Sequence, residues 1–140
     1  LAVFLPVLSG QSGNTGCQSL AVCLRALTLG DLRKGDEMKV LRKEGLLGLW
    51  NGLLVGLVAG GAMVFYAFKQ GQGSPWLLGG VVCIAMIGSC IVSGISGVVI
   101  PLVLRRFGAD PANASSIFLT TATDVVSMGT FLGLASWLVP

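Results

Sequence analysis

The chain has 140 residues, of which 54% are hydrophobic and only 11% charged, with a formal net charge of +3. A typical soluble domain is about 25% charged, and a globule this small has a large surface to cover. An ordinary soluble enzyme is thereby excluded. The long uncharged runs require an all-α integral membrane protein, because lipid accepts only helices and closed barrels and no alternating β segments occur.

Residues 1–140 are expected to form one transmembrane domain of four helices, at about 2–28, 45–68, 76–104 and 112–138. Each meets the bilayer requirement of about 20 residues. The first opens on Leu1 inside an apolar run, without a basic segment ahead of it, and is read as part of a longer protein with one more helix upstream. Its middle, SGQSGNTGCQS at 9–19, is unusually polar. Gln11, Asn14 and Gln18 share one helical face. Gly10, Gly13 and Gly16 are expected to permit close approach or local unwinding, and Pro6 a break.

The first connector, 29–44, holds nine of the fifteen charges. The second helix carries Gly48, Gly52, Gly56 and Gly60 at four-residue spacing, a row that favours close helix packing. The second connector, KQGQGSP, is a turn by its glycines and Pro75. The third helix has Gly80, Gly88, Ser93, Gly94, Ser96 and Gly97 on its packing side, and Pro101 is expected to kink or end it. In the third connector Asp110 is placed to cap the fourth helix, with Pro111 in its first turn. Trp50, Trp76 and Trp137 are expected near span ends as interfacial anchors.

Basic residues set the orientation. Six flank or occupy the first connector (Arg25, Arg33, Lys34, Lys39, Arg42, Lys43), one the second (Lys69) and two the third (Arg105, Arg106). Connectors one and three are therefore expected in the cytoplasm. The same placement makes the basic cluster a topology signal and not a nucleic-acid surface.

In the fourth helix Asn113, Ser116, Thr120, Asp124 and Ser127 make one stripe at helical spacing. Asp124 is the single charge deep in any expected span, where a carboxylate costs about 2.5–3.5 kcal/mol on insertion scales. No basic residue inside the spans answers it, so it must be protonated, hydrated or bound to a cation. Carboxylate, hydroxyl, amide and carbonyl oxygens are hard ligands, the set that suits Mg²⁺, Ca²⁺ or Mn²⁺. The four cysteines form no metal-binding pattern and are read as reduced thiols. Gly10-Gln11-Ser12-Gly13 and Gly94-Ile95-Ser96-Gly97 match a serine-nucleophile pattern, but a chain without histidine offers the serine no base, and no cofactor motif is present.

Two stretches, 4–27 and 100–135, resemble the MgtE family of magnesium transporters. The first carries Gly13-Asn14-Thr15-Gly16-Cys17-Gln18 after a phenylalanine- and proline-containing run. The second carries Pro101-Leu102, Asp110-Pro111-Ala112, Thr120-Thr121 and Asp124. The resemblance implies helices two to five of a five-helix domain, preceded in the family by cytosolic magnesium-sensing domains. It implies a homodimer whose pore lies on the two-fold axis between the helices here at 2–28 and 112–138. Asp124 takes the place of the family's selectivity aspartate. Gly13, Asn14, Gln18, Ser116, Thr120 and Thr121 fall at pore-lining positions. Ser12 stands where the family often has glycine, and Ser116 where some members have asparagine.

The function expected is passage of partly hydrated Mg²⁺ into the cytoplasm of a cell with this protein in its membrane, by the form of the signatures a prokaryotic inner membrane. Mg²⁺ is then transported and bound ion, with no other cofactor, and the partners are a second copy and membrane lipid. The alternatives are a proton- or sodium-coupled carrier using Asp124, and a structural membrane subunit packed through its glycine rows.

Overall fold

A computed structural model of the chain describes residues 2–32, 35–71 and 73–138, with the backbone alone at Asn113 and Ala114. The expected positions of Arg33 and Lys34, and of the Asn113 side chain, lie outside the described residues. A short 3₁₀ turn, Ala2–Phe4, leads into four helices: α1 (Leu5–Leu29), α2 (Glu37–Gln70), α3 (Pro75–Arg106) and α4 (Pro111–Leu138). The described chain is thus all-helical, in the expected order.

The boundaries depart from expectation in one place that matters. α2 begins at Glu37, inside the stretch expected to be a charged connector, and runs 34 residues. At about 1.5 Å per residue it is longer than the roughly 30 Å hydrocarbon core, so its charged first turns project beyond the apolar layer. Gly30 and Gly71 stop α1 and α2 in left-handed conformations (φ 73° and 63°), each returning its N–H to a carbonyl of the last turn.

Pro101 does not end α3, which continues five residues to Arg106 with Pro101 buried in the bundle. Tertiary packing holds the helix through the missing N–H. Likewise α1 runs unbroken through Gly10, Gly13 and Gly16, and Pro6 sits harmlessly in its first turn. Asp110 accepts the Ala112 N–H at 2.9 Å, as the cap requires.

Three helical segments are long and apolar enough to cross a membrane: 37–70, 75–106 and 115–138. α1 is long enough, but Gln11, Asn14, Gln18 and Arg25 lower its hydropathy, so the first expected span is not supported by composition alone. It is held by the other helices instead.

α3 is the central helix, packed against all three others, while α1 and α2 keep their backbones apart and meet through side chains. The α2–α3 seam is built on the glycine row. A methyl added at Gly48 would lie 2.5 Å from the Cys90 carbonyl oxygen, and at Gly60 2.8 Å from that of Gly79. Gly52 and Gly56 face α3 just as closely. On α3 the close positions are Gly79, Gly94 and Gly97, whereas nothing lies within 4 Å of a methyl built on Gly80. Around the seam, Met63, Val82, Ala85, Met86 and Phe131 are fully buried. Trp50, Trp76 and Trp137 are all exposed, and Trp76 meets Phe68 edge-to-face with ring centroids 6.3 Å apart.

Candidate functional site

α1 and α4 run antiparallel against each other. Ser9 meets Asp124, Gly16 seats against Leu119 and Thr123, and the end of α1 shares a hollow with Asp110, Pro111 and Ala112. Leu27 and Thr28 line that hollow with Arg105, and Leu32 lines another with Arg105 and Arg106. The first and third connectors therefore sit at one end of the bundle, as the basic-residue pattern requires.

Asp124 is half-buried on α4, and its Oδ1 accepts a hydrogen bond from the Ser9 hydroxyl of α1. Its position thus depends on a contact 115 residues away in sequence. Among the described residues no lysine or arginine pairs with it, and no three of His, Cys, Asp or Glu gather into a metal-holding group. One carboxylate from one chain is the anionic part of the site.

The expected pore-lining residues fall mostly on open surface. Asn14, Gln18, Ser116, Thr120 and Thr121 are exposed and Gly13 is half-buried, with nothing within 4 Å of a methyl built on it. The Thr120 hydroxyl donates to the Ser116 carbonyl at 2.9 Å and that of Thr121 to the Ile117 carbonyl at 3.0 Å. A threonine that spends its proton on its own helix keeps its oxygen lone pairs free to accept from water or to face a cation. Asn14 and Gln18 line a hollow of about 440 Å³ on α1, together with Gln11, Cys17, Ala21 and Asn51.

The α4 stripe splits on closer view. Ser127 turns inward, fully buried, and donates to the Asp124 carbonyl at 3.2 Å. Thr123, not part of that stripe, is also buried and donates to the Thr120 carbonyl. The reason is that α4 packs on α1 and α3 through this side, which leaves Ser116, Thr120 and Thr121 outward.

Two polar residues escaped the sequence reading. Asn51 of α2 donates to the Thr15 hydroxyl at 2.7 Å and accepts from the Gln11 amide at 3.3 Å, bridging α2 to α1. Glu44, placed by expectation in a solvated connector, is only 3% exposed and accepts the Ser19 hydroxyl at 2.8 Å. The signal was present: Glu44 lies four residues ahead of Gly48 and extends the row 48, 52, 56, 60 that faces α3. Gly94 gives it room, since a methyl there would lie 2.7 Å from the Glu44 carbonyl oxygen.

The family MgtE, described as a divalent cation transporter, matches residues 5–134. The magnesium transporter MgtE of Bacillus subtilis is 32% identical over 97% of this chain, and that of Enterococcus faecalis 35% over the same share. The magnesium transporter MgtE of Thermus thermophilus is 36% identical over 99% of it. The chain spans 29% of the length of each of these relatives.

Proposed function

The chain belongs to the MgtE family of divalent cation transporters, and on that footing we propose that it forms half of a Mg²⁺ pore completed by a second copy. It is a multi-pass membrane protein and not an enzyme. The observation that carries the reading is the placement of Asp124. It is a half-buried carboxylate held by Ser9 at the junction of the two most polar helices, without a basic partner among the described residues. The exposed row Ser116, Thr120 and Thr121 and the exposed Asn14 and Gln18 give both helices oxygen-bearing outer surfaces. A two-fold pairing of those surfaces sets two Asp124 carboxylates toward one axis, enough for an ion that keeps most of its water.

In this reading the ion enters from outside and leaves at the end where the basic connectors lie. An inside-negative potential favours entry by about 2.3 kcal/mol per charge per 100 mV, twice that for a divalent ion. Asp124 supplies the attraction, and neutral oxygens of α1 and α4 orient the retained waters. The test is Mg²⁺ flux into liposomes carrying the full-length protein under an imposed potential. Flux without a proton or sodium gradient is expected. Flux that requires either gradient overturns the pore in favour of the coupled carrier.

Gly13 offers a second check. Within one chain nothing crowds it, so Gly13→Leu should unfold at the temperature of the unsubstituted protein. If the α1 surface faces a second copy across a pore, the same variant should lose Mg²⁺ flux almost completely. Full flux in Gly13→Leu removes α1 from the ion pathway.

A further inference from the structure

The Glu44 carboxylate is buried, and only half of it is satisfied. Oε2 accepts the Ser19 hydroxyl, while Oε1 has no hydrogen-bond partner among the described residues. A buried ionised carboxylate without compensation is unfavourable by several kcal/mol.

Glu44 instead borders a cavity of about 280 Å³, lined also by Thr15, Gln18, Ser19, Lys43 and Asn51. At roughly 30 Å³ per water, that volume takes an ion with a shell of about six waters. Its neutral polar groups are two hydroxyls and two side-chain amides, set beside the apolar Val22 and Leu47. The Gln18 amide makes no hydrogen bond to another described residue. Among the described residues Lys43 is the one basic residue at the cavity, yet it is exposed and makes no ion pair with Glu44. A carboxylate residue bordering a water-sized space, with hydroxyl and amide oxygens beside it, suits a divalent ion that retains waters.

We propose that Glu44, with Ser19, Gln18 and Asn51 around it, is a second divalent-cation site, distinct from Asp124. Ser19 lies ten residues from Ser9 along α1, about 15 Å at 1.5 Å per residue, so the two carboxylates serve different ions. Gln18 and Asn51 line both this cavity and the neighbouring one at Asn14. The site therefore opens toward the surface assigned above to the ion pathway, and that last placement rests on the pore reading.

The test uses the full chain in lipid nanodiscs with Mn²⁺ as the probe, counting bound ion by the loss of the free-ion paramagnetic resonance signal. Asp124→Asn should bind one more Mn²⁺ per chain than Asp124→Asn/Glu44→Gln, and Mg²⁺ should displace that ion. Glu44→Asp in the same background should restore the site with affinity weakened about tenfold. Equal Mn²⁺ counts with and without Glu44→Gln overturn the proposal. Should Glu44→Gln fail to fold, infrared difference spectra of the unsubstituted chain with ¹³C-labelled glutamate decide the matter. These 140 residues hold two glutamates, Glu37 and the buried Glu44, and the band that Glu44→Asp removes is the one assigned to Glu44. Mn²⁺ should shift one carboxylate stretch, in a band that does not exchange rapidly with solvent, and an unshifted band refutes the site. Because the count is taken with Asp124 already neutralised, normal transport by Asp124→Asn would defeat the pore reading and leave this result standing.

Discussion

Asp124→Asn is expected to cut Mg²⁺ flux by at least tenfold while leaving folding intact. Asparagine has the same shape and keeps an oxygen for the Ser9 hydroxyl, so the α1–α4 contact survives. What disappears is charge. A unit charge pair at about 4 Å is worth about 1 kcal/mol in water and about 4 kcal/mol at the effective dielectric near a protein surface. A divalent ion doubles either figure, and each 1.4 kcal/mol is about a tenfold change in occupancy. Half-burial of Asp124 places the loss between those limits. The measurement is flux into liposomes, normalised to protein that elutes as the unsubstituted form. Undiminished flux would return Asp124 to a packing role, bonded to Ser9 and nothing more.

The second large effect is on stability. Gly97→Ala should destabilise the bundle by about 1–3 kcal/mol, the range for overpacking a close-fitted interior. The added methyl would lie 2.5 Å from the Gly16 carbonyl oxygen, 2.8 Å from Ser19 Cβ and 2.9 Å from the Leu20 nitrogen. Two of those three atoms are backbone, which has no rotamer to yield. α1 must move away from α3 as a whole, carrying Ser9 from Asp124 and Ser19 from Glu44. Gly48→Ala meets the Cys90 carbonyl at 2.5 Å and should behave alike at the α2–α3 seam. Gly61→Ala and Gly80→Ala, with nothing within 4 Å, should be neutral or mildly stabilising, since alanine favours helix by up to about 1 kcal/mol over glycine. Thermal unfolding in detergent separates the two groups. Equal midpoints in all four variants would mean that the glycine rows do not set the helix spacing.

The two effects differ because Asp124 is proposed to face the ion, whereas Gly97 faces the chain itself. Glycine content alone does not make that distinction. Gly13 and Gly16 are three residues apart on α1, yet Gly13 is open while Gly16 meets Leu119 and Thr123 of α4. Both appear in the same sequence motif. Only the position of α4 tells a packing glycine from one on the outer surface.

Composition and spacing determined a good deal by themselves. Scarcity of charge required helices in lipid. Turn residues and charged connectors set their number and order, four-residue spacing of glycine marked the α2 surface that meets α3, and one carboxylate in an apolar run marked Asp124. These follow from local rules: helical period, the N–H that proline lacks, and the cost of charge in hydrocarbon. The tertiary structure decided what depends on neighbours far along the chain. It gave Asp124 its serine, turned Ser127 inward and Thr120 outward, kept α3 helical past Pro101, and buried Glu44. A count of nearby charges put Glu44 in water. Its burial is a consequence of helix α2 starting at Glu37 and lying against Gly94 and Ser19, so the row of Gly48 to Gly60 extends back to Glu44 only once that start is known.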